Sequence, residues 1–408
     1  MKAIVGLTSL ALYLTFMSCA GSNVLTKSIH ADPYLKSIMS NPDYEVQILY
    51  THVDRKNKRF KTYSYHVDET KYFYPASTVK MPVAILSLQK INDLNSQGID
   101  LTKDDIMMTA AINERLTPAF KDTTTVNNKP NIGRYIEKIF AISDNDAYNR
   151  LFEWLGQDYI NGQLISKNIF HGSVINHRLS IPNLTTEENR QSNEIRFFRN
   201  DKILYEQASF AASQDWKHHA DFAQKGLGYY NSNDSLIMMP FDFSRKNFYT
   251  IRDMEATLQR IIFPEYFPEN QRFNLTDSNY YFLKKCMSSL PRDDHFLKNE
   301  MYHDSYVKFL MYGNMKTEIP QNIKIYNKVG DAYGYLLDCA YIEDTDADIG
   351  FFLTAVIHVN ADKIYNDNKY EYDETGLPFL AKLGQTIYKY ELEISKKTEK
   401  LIKNPFQN

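Results

Sequence analysis

Pro75-Ala76-Ser77-Thr78-Val79-Lys80-Met81-Pro82 opens a run in which Val79, Val83, Ile85, Leu86 and Leu88 predict an apolar helix. Ser77 and Lys80 stand three residues apart. On a helix they share a face, so the amine can reach the proton of the hydroxyl. A serine hydroxyl attacks poorly unless a base takes that proton, and the pair reads as nucleophile and base. By itself the spacing is weak evidence, because both residue types are common. Pro82 is a local conflict, since it has no N–H for the carbonyl of Thr78, and a slight bend is expected there.

Two further motifs follow in order. Ser143-Asp144-Asn145 interrupts the amphipathic stretch from Ile132 to Leu155, and Lys328-Val329-Gly330 closes a strand-like run from Ile323. The first offers a second hydroxyl and a carboxamide. The other offers a cation and a glycine where a strand can pass close to a ligand. With these three motifs the chain resembles the serine β-lactamase and penicillin-binding protein superfamily, and most closely its class A-like members. The resemblance runs from about Tyr44 to Leu392, apart from an expanded central region at about 156–246.

That resemblance implies an α/β (α+β) fold: a five-stranded antiparallel sheet flanked by helices, with an inserted all-helical subdomain. The site would lie in the cleft between them. It also implies the roles. Ser77 is acylated, Lys80 is its base, and Ser143 passes a proton to the leaving nitrogen. Asn145 binds a substrate amide, and Lys328 holds Ser143 and a substrate carboxylate. The backbone N–H groups of Ser77 and of Asp331, the residue after Gly330, form the oxyanion hole. Burial and the charge of Lys328 would both disfavour protonated Lys80. No cofactor is implied, and the substrate is a small molecule or peptide of β-lactam or cell-wall type.

Two departures matter. Val329 stands where the family usually has Thr or Ser, whose hydroxyl commonly binds the substrate carboxylate, and Asp331 adds a negative side chain nearby. The family's class A β-lactamases also need a loop glutamate to activate the deacylating water. The matching region is His177 to Asn183, with Asn183 in the glutamate's place. Glu187, Glu188 and Glu194 follow and either reach the cleft or lie on the surface. The expectation is a serine hydrolase with a slowly released acyl-enzyme. The alternatives are a penicillin-binding-type peptidase or transferase, and a non-hydrolytic cell-wall binding protein.

Strand-like alternation at Tyr44–His52 and Phe60–His66 predicts a hairpin. Three apolar runs at Ile323–Val329, Cys339–Ile342 and Phe351–Val359 predict a meander. Helical patterns fill about Lys103–Leu155, Thr250–Ile262, Asp277–Ser289 and Leu377–Ile402. Strands at both ends with helices between them suggest one sheet built from both termini.

At 408 residues and 43% hydrophobic content the chain can bury a large core, and a net charge of −3 gives no reason to expect nucleic-acid binding. The 30 Tyr and 24 Phe residues read as a Tyr-rich core and surface. Lys2, the apolar run from Ala3 to Met17, and Ser18-Cys19-Ala20-Gly21 resemble a bacterial lipoprotein signal, with plain secretion and another cleavage point as the alternative, since Phe16 and Met17 are looser than the usual lipobox. This gives signal residues 1–19, lipid on Cys19, a polar tether to residue 42, the catalytic domain at 43–395 and a tail at 396–408. The partner at the N-terminus would be the membrane, on the envelope side. Cys286 and Cys339 read as buried free thiols. No metal spacing is convincing, and His218-His219 beside Asp221 reads as a solvated helical face rather than a zinc site.

Overall fold

The computed structural model describes residues 24–296 and 302–403. Five antiparallel strands form the main sheet: β1 (Gln47–Asp54), β2 (Arg59–Tyr65), β3 (Ile323–Ala332), β4 (Tyr335–Asp344) and β5 (Ile349–His358). Their order is β3-β4-β5-β1-β2, so the N-terminal hairpin adds to the C-terminal meander and the two ends of the fold share one sheet. The register is continuous: Lys328 faces Cys339 across β3–β4, and Leu49 faces Thr354 across β1–β5.

Side-chain alternation sorts the sheet into two faces. Phe351, Leu353, Ala355 and Ile357 of β5 point to one core, where they meet Phe379, Leu380, Leu383 and Ile387 of the C-terminal helix Leu377–Lys403. Leu25, Ile29, Leu35 and Ile38 join them from α1 (Val24–His30) and α2 (Pro33–Met39). The stretch expected as a tether is thus folded from Val24 onward, and Asp32 caps α2 by accepting from the backbone of Tyr34 and Leu35. The tail expected from residue 396 is also helical to Lys403. Cys19 and the rest of the signal-like segment lie outside the described residues.

The other face carries the larger core. Leu49, Leu337, Cys339, Phe352 and Val356 pack against α3 (Lys80–Asn95) and the helix Ile251–Ile262, and the same core continues to Ile136, Leu151 and Phe197 in the inserted lobe. Twelve of the sixteen residues of α3 are buried, so it is a central helix enclosed on all sides rather than an amphipathic one. The helix type changes just before Pro82. A 3₁₀ turn, Ala76–Val79, carries the chain to α3, and the proline falls in the first α-turn, where its missing N–H costs little.

The lobe differs from the expected helical stretch. Lys103 to Asn131 holds a short strand, Ile106–Thr109, and irregular loops. The strand pairs with Ile195–Arg199, which pairs in turn with Lys202–Gln207. Helices α4 (Ile132–Ile142) and α5 (Asn145–Leu155) follow, capped by Asn131 and Asp144. His218 is not on a solvated helix. It is buried, stacked 4.8 Å from Tyr72 and 3.1 Å from the carbonyl of Phe243. Cys286 and Cys339 are buried free thiols, as expected.

Candidate active site

The Ser-x-x-Lys motif straddles the 3₁₀-to-α transition. Ala76, just before the serine, has φ of 46°, a left-handed value that costs a non-glycine residue about 1–2 kcal/mol. This turn sets Ser77 on a cavity of about 480 Å³ between sheet and lobe, while Lys80 is fully buried beneath it. The hydrogen bonds of Lys80 run across the cleft floor to the lobe: Nζ lies 2.5 Å from the Ser143 carbonyl, 3.2 Å from Ser143 Oγ and 2.7 Å from Asn145 Oδ1.

Ser-Asp-Asn falls between α4 and α5, as its break in periodicity predicts. Ser143 ends α4 in a left-handed conformation, φ 58°, so its side chain and carbonyl both turn towards Lys80. Asp144 accepts from the backbone of Ala147 at 2.8 Å and starts α5, whose first residue is Asn145. Two non-glycine residues with positive φ thus flank the same few ångströms, the kind of stored strain that clusters at functional sites.

The third motif lies on β3, an edge strand whose outer side faces the 3₁₀ turn. Lys328 Nζ donates to Ser143 Oγ at 2.8 Å and to the carbonyl of Val329 at 2.9 Å. Ser143 Oγ therefore bridges two lysines. Only glycine fits at 330, because a Cβ there would come within 2.9 Å of the Pro75 carbonyl and 3.0 Å of the Ser77 nitrogen. Val329 points away and is buried in the core with Leu336 and Ala340. Asp331 opens on the cleft beside Ser77.

The electrostatics follow from burial. Desolvation, reinforced by the charge of Lys328, holds Lys80 well below the usual lysine range, against the opposing pull of Asp331 and Asp144. Desolvation also lowers Lys328 to about 7, although Asp331 and Asp338 act the other way. The Asp331 carboxyl is raised by desolvation from the surrounding walls, which outweighs Lys328 and Lys80. Asp331 also contacts solvent in the cleft.

One face of α5 holds the loop that closes the cleft. Asn145, Asn149 and Glu153 recur every four residues. Asn149 clamps Leu179, its Oδ1 accepting from the Leu179 nitrogen and its Nδ2 donating to the Leu179 carbonyl, both at 2.9 Å. Glu153 pairs with the buried Arg178 at 3.1 Å, and Arg178 also donates to the carbonyls of Glu188 and Gln191. This clamp delivers Ser180, whose Oγ accepts from Asn145 Nδ2 at 2.8 Å. Ser180, and not Asn183, occupies the loop position facing the centre. Asn183 is exposed, and its carbonyl accepts from Arg115. Glu187 pairs with Arg190, Glu188 caps a short helix at Thr185, and Glu194 pairs with Arg196, so none of the three lines the cleft. The repeat of Asn145, Asn149 and Glu153 was the available signal for this clamp.

A family model described as the β-lactamase enzyme family matches residues 31–390. Among solved structures, the chain is similar to a variant of the last common ancestor of Gram-negative bacteria class A β-lactamase, bound to 5(6)-nitrobenzotriazole. Identity is 14%, over 90% of this chain and 99% of that chain, with a TM-score of 0.51. It is also similar to a β-lactamase from Desulfarculus baarsii (12% identity, 89% and 97% covered, TM-score 0.49) and to a class A β-lactamase from Mycobacterium abscessus (11%, 89% and 98%, 0.47). No curated protein matches. With the three motifs gathered in one cleft and a family model spanning nearly the whole described fold, the chain belongs to the β-lactamase enzyme family.

Proposed function

We propose that the protein is a serine hydrolase that forms an acyl-enzyme on Ser77 with an amide or ester of β-lactam or cell-wall-peptide type, and that releases it slowly. The observation that carries the reading is the bridge of Ser143 Oγ between Lys80 and Lys328 directly below the Ser77 turn. A neutral Lys80 takes the proton of Ser77 as Oγ attacks the substrate carbonyl. The tetrahedral oxyanion is met by the backbone N–H groups of Ser77 and Asp331. When the C–N or C–O bond breaks, Ser143 gives its proton to the leaving atom and recovers one from Lys80, with charged Lys328 polarising the hydroxyl. Asn145 exchanges its bond to Ser180 for the substrate amide.

Hydrolysis then needs a base for water. The loop facing the ester offers the hydroxyl of Ser180, which is a poor base at neutral pH. The same feature favours the penicillin-binding-type alternative, in which the acyl-enzyme persists.

Incubation with a fluorescent penicillin followed by intact mass spectrometry tests the reading. The wild type gains one adduct that lasts minutes or longer, and Ser77→Ala gains none while keeping its thermal transition. Full labelling of Ser77→Ala would remove the nucleophile assignment. An unlabelled wild type would instead favour a cell-wall binding protein.

The envelope location belongs to the same reading, with lipid on Cys19. Wild-type protein is expected in the membrane fraction and Cys19→Ala in the soluble fraction. Equal distribution of the two would remove the anchor.

A further inference from the structure

Beyond Ser180 the cleft opens into a second cavity of about 520 Å³. Tyr74, Ser180 and Tyr333 line both spaces and form the passage between them. The loop 177–190 makes one wall and the inserted segment 213–246 the other. That segment is fixed to the catalytic hairpin by aromatic packing: Phe241 and Phe243 lie 5.5 and 5.3 Å from Tyr333, the first residue of the β3–β4 turn.

The cavity's cations are not equivalent. Arg245 is paired with Asp215 at 2.6 Å, and Arg190 with Glu187 at 3.0 Å. Lys246 instead lies over the rings of Phe241 and Tyr333, 5.5 and 5.4 Å from their centroids, and these ring faces are its described side-chain contacts. Ring faces hold an ammonium in place without neutralising it, so an anion can still be received. Asp242, on the same wall, accepts from the backbone of Ser244. Near Ser77 the Asp331 carboxylate stands within the fields of Lys328 and Lys80. Val329 is buried in the core, and Asp331 faces the cleft.

We propose that Lys246, on the wall of this cavity, selects an acyl chain ending in a carboxylate. The proposal rests on the acyl-enzyme reading above. Asn145 and Ser180 stand at the passage, so an acyl chain whose amide meets Asn145 continues past Ser180 towards Lys246.

The test uses two penicillins, one with a neutral phenylacetyl side chain and one with an adipoyl side chain bearing a distal carboxylate. The second-order rate of adduct formation on Ser77 is followed by intact mass. The wild type reacts about tenfold or more faster with the adipoyl probe, the usual scale for a charge-assisted hydrogen bond. Lys246→Met brings the two rates together, and Lys246→Arg keeps them apart. Equal rates in the wild type, or an undiminished preference in Lys246→Met, overturn the proposal. If neither probe acylates Ser77, the hydrolase reading fails and the Lys246 site is judged alone, by calorimetric titration of Ser77→Ala with adipate monoamide. Binding that disappears on adding Lys246→Met sustains the site, and no binding to Ser77→Ala overturns it.

Discussion

Lys80 and Lys328 share one hydroxyl but need opposite charge states. In the proposed mechanism Lys80 serves as a base only when neutral, and Lys328 polarises Ser143 only when charged. Both are pushed down by burial, Lys328 to about 7. Acylation should therefore fall as pH rises through about 7, where Lys328 loses its proton. Lys328→Arg should remove that alkaline fall, at lower overall rate, because guanidinium stays charged. A pH profile of the acylation rate decides it, and a wild-type rate flat from about pH 6 to about pH 9 would contradict the role of Lys328. The lysines, Ser143 and Asn145 were all legible in sequence, because each belongs to a short motif whose spacing carries the chemistry. Ser180 was not. Its place is set by Asn149 gripping Leu179, a contact made across 30 residues.

At the scale of elements, in the proposed acyl-enzyme mechanism the loop 177–190 sets the lifetime of the adduct. Ser180→Glu would place a carboxylate beside Asn145 and shorten the life of a penicillin adduct by up to about 10²–10⁴. Asn183→Glu should leave the lifetime unchanged, since that residue is exposed and points away. Adduct decay measured by mass spectrometry on both variants checks this, and the reverse pattern would return the role to Asn183. Elements bounded by strong local signals were read well from sequence. Thr250 and Thr276 cap their helices, and the three C-terminal strands lie where the apolar runs put them. The stretch after Lys103 was misread as helical, and Asp105 marks the difference. Its carboxylate instead accepts from the Thr102 nitrogen at 2.7 Å and closes a turn, after which Ile106–Thr109 pairs with a strand about ninety residues away. No local pattern reports such a partner. The helices α1 and α2 were hidden for a related reason: each is seven residues long, and each is stabilised by burial against the C-terminal helix rather than by its own propensity.

The whole molecule carries a pH dependence of its own, away from the cleft. Glu255 is fully buried between the sheet and the helix Ile251–Ile262, bonded to Thr51 at 2.5 Å and to Thr354 at 3.1 Å. Desolvation raises it from 4.5 to about 7, against the hydrogen bonds of Thr51 and Thr354. The folded state thus holds this proton more tightly than the unfolded chain. The contribution is complete below about 4.5 and is lost as pH rises through about 7, a change of up to about 3 kcal/mol. Urea unfolding at a series of pH values should show this loss, and Glu255→Gln should flatten it. A wild-type stability that instead climbs steadily across that range would show that Glu255 is ionised in the fold.

One core joins the inner face of the sheet, α3 and the inserted lobe without a gap, from Leu337 and Phe352 to Phe197. Among the described residues, any movement of the two walls of the cleft apart would have to break this shared apolar packing. Admission of substrate is a matter of fit to a preset aperture, with movement confined to the side chains and loop at its rim. Such a protein discriminates by shape at entry instead of by closing over what has already bound.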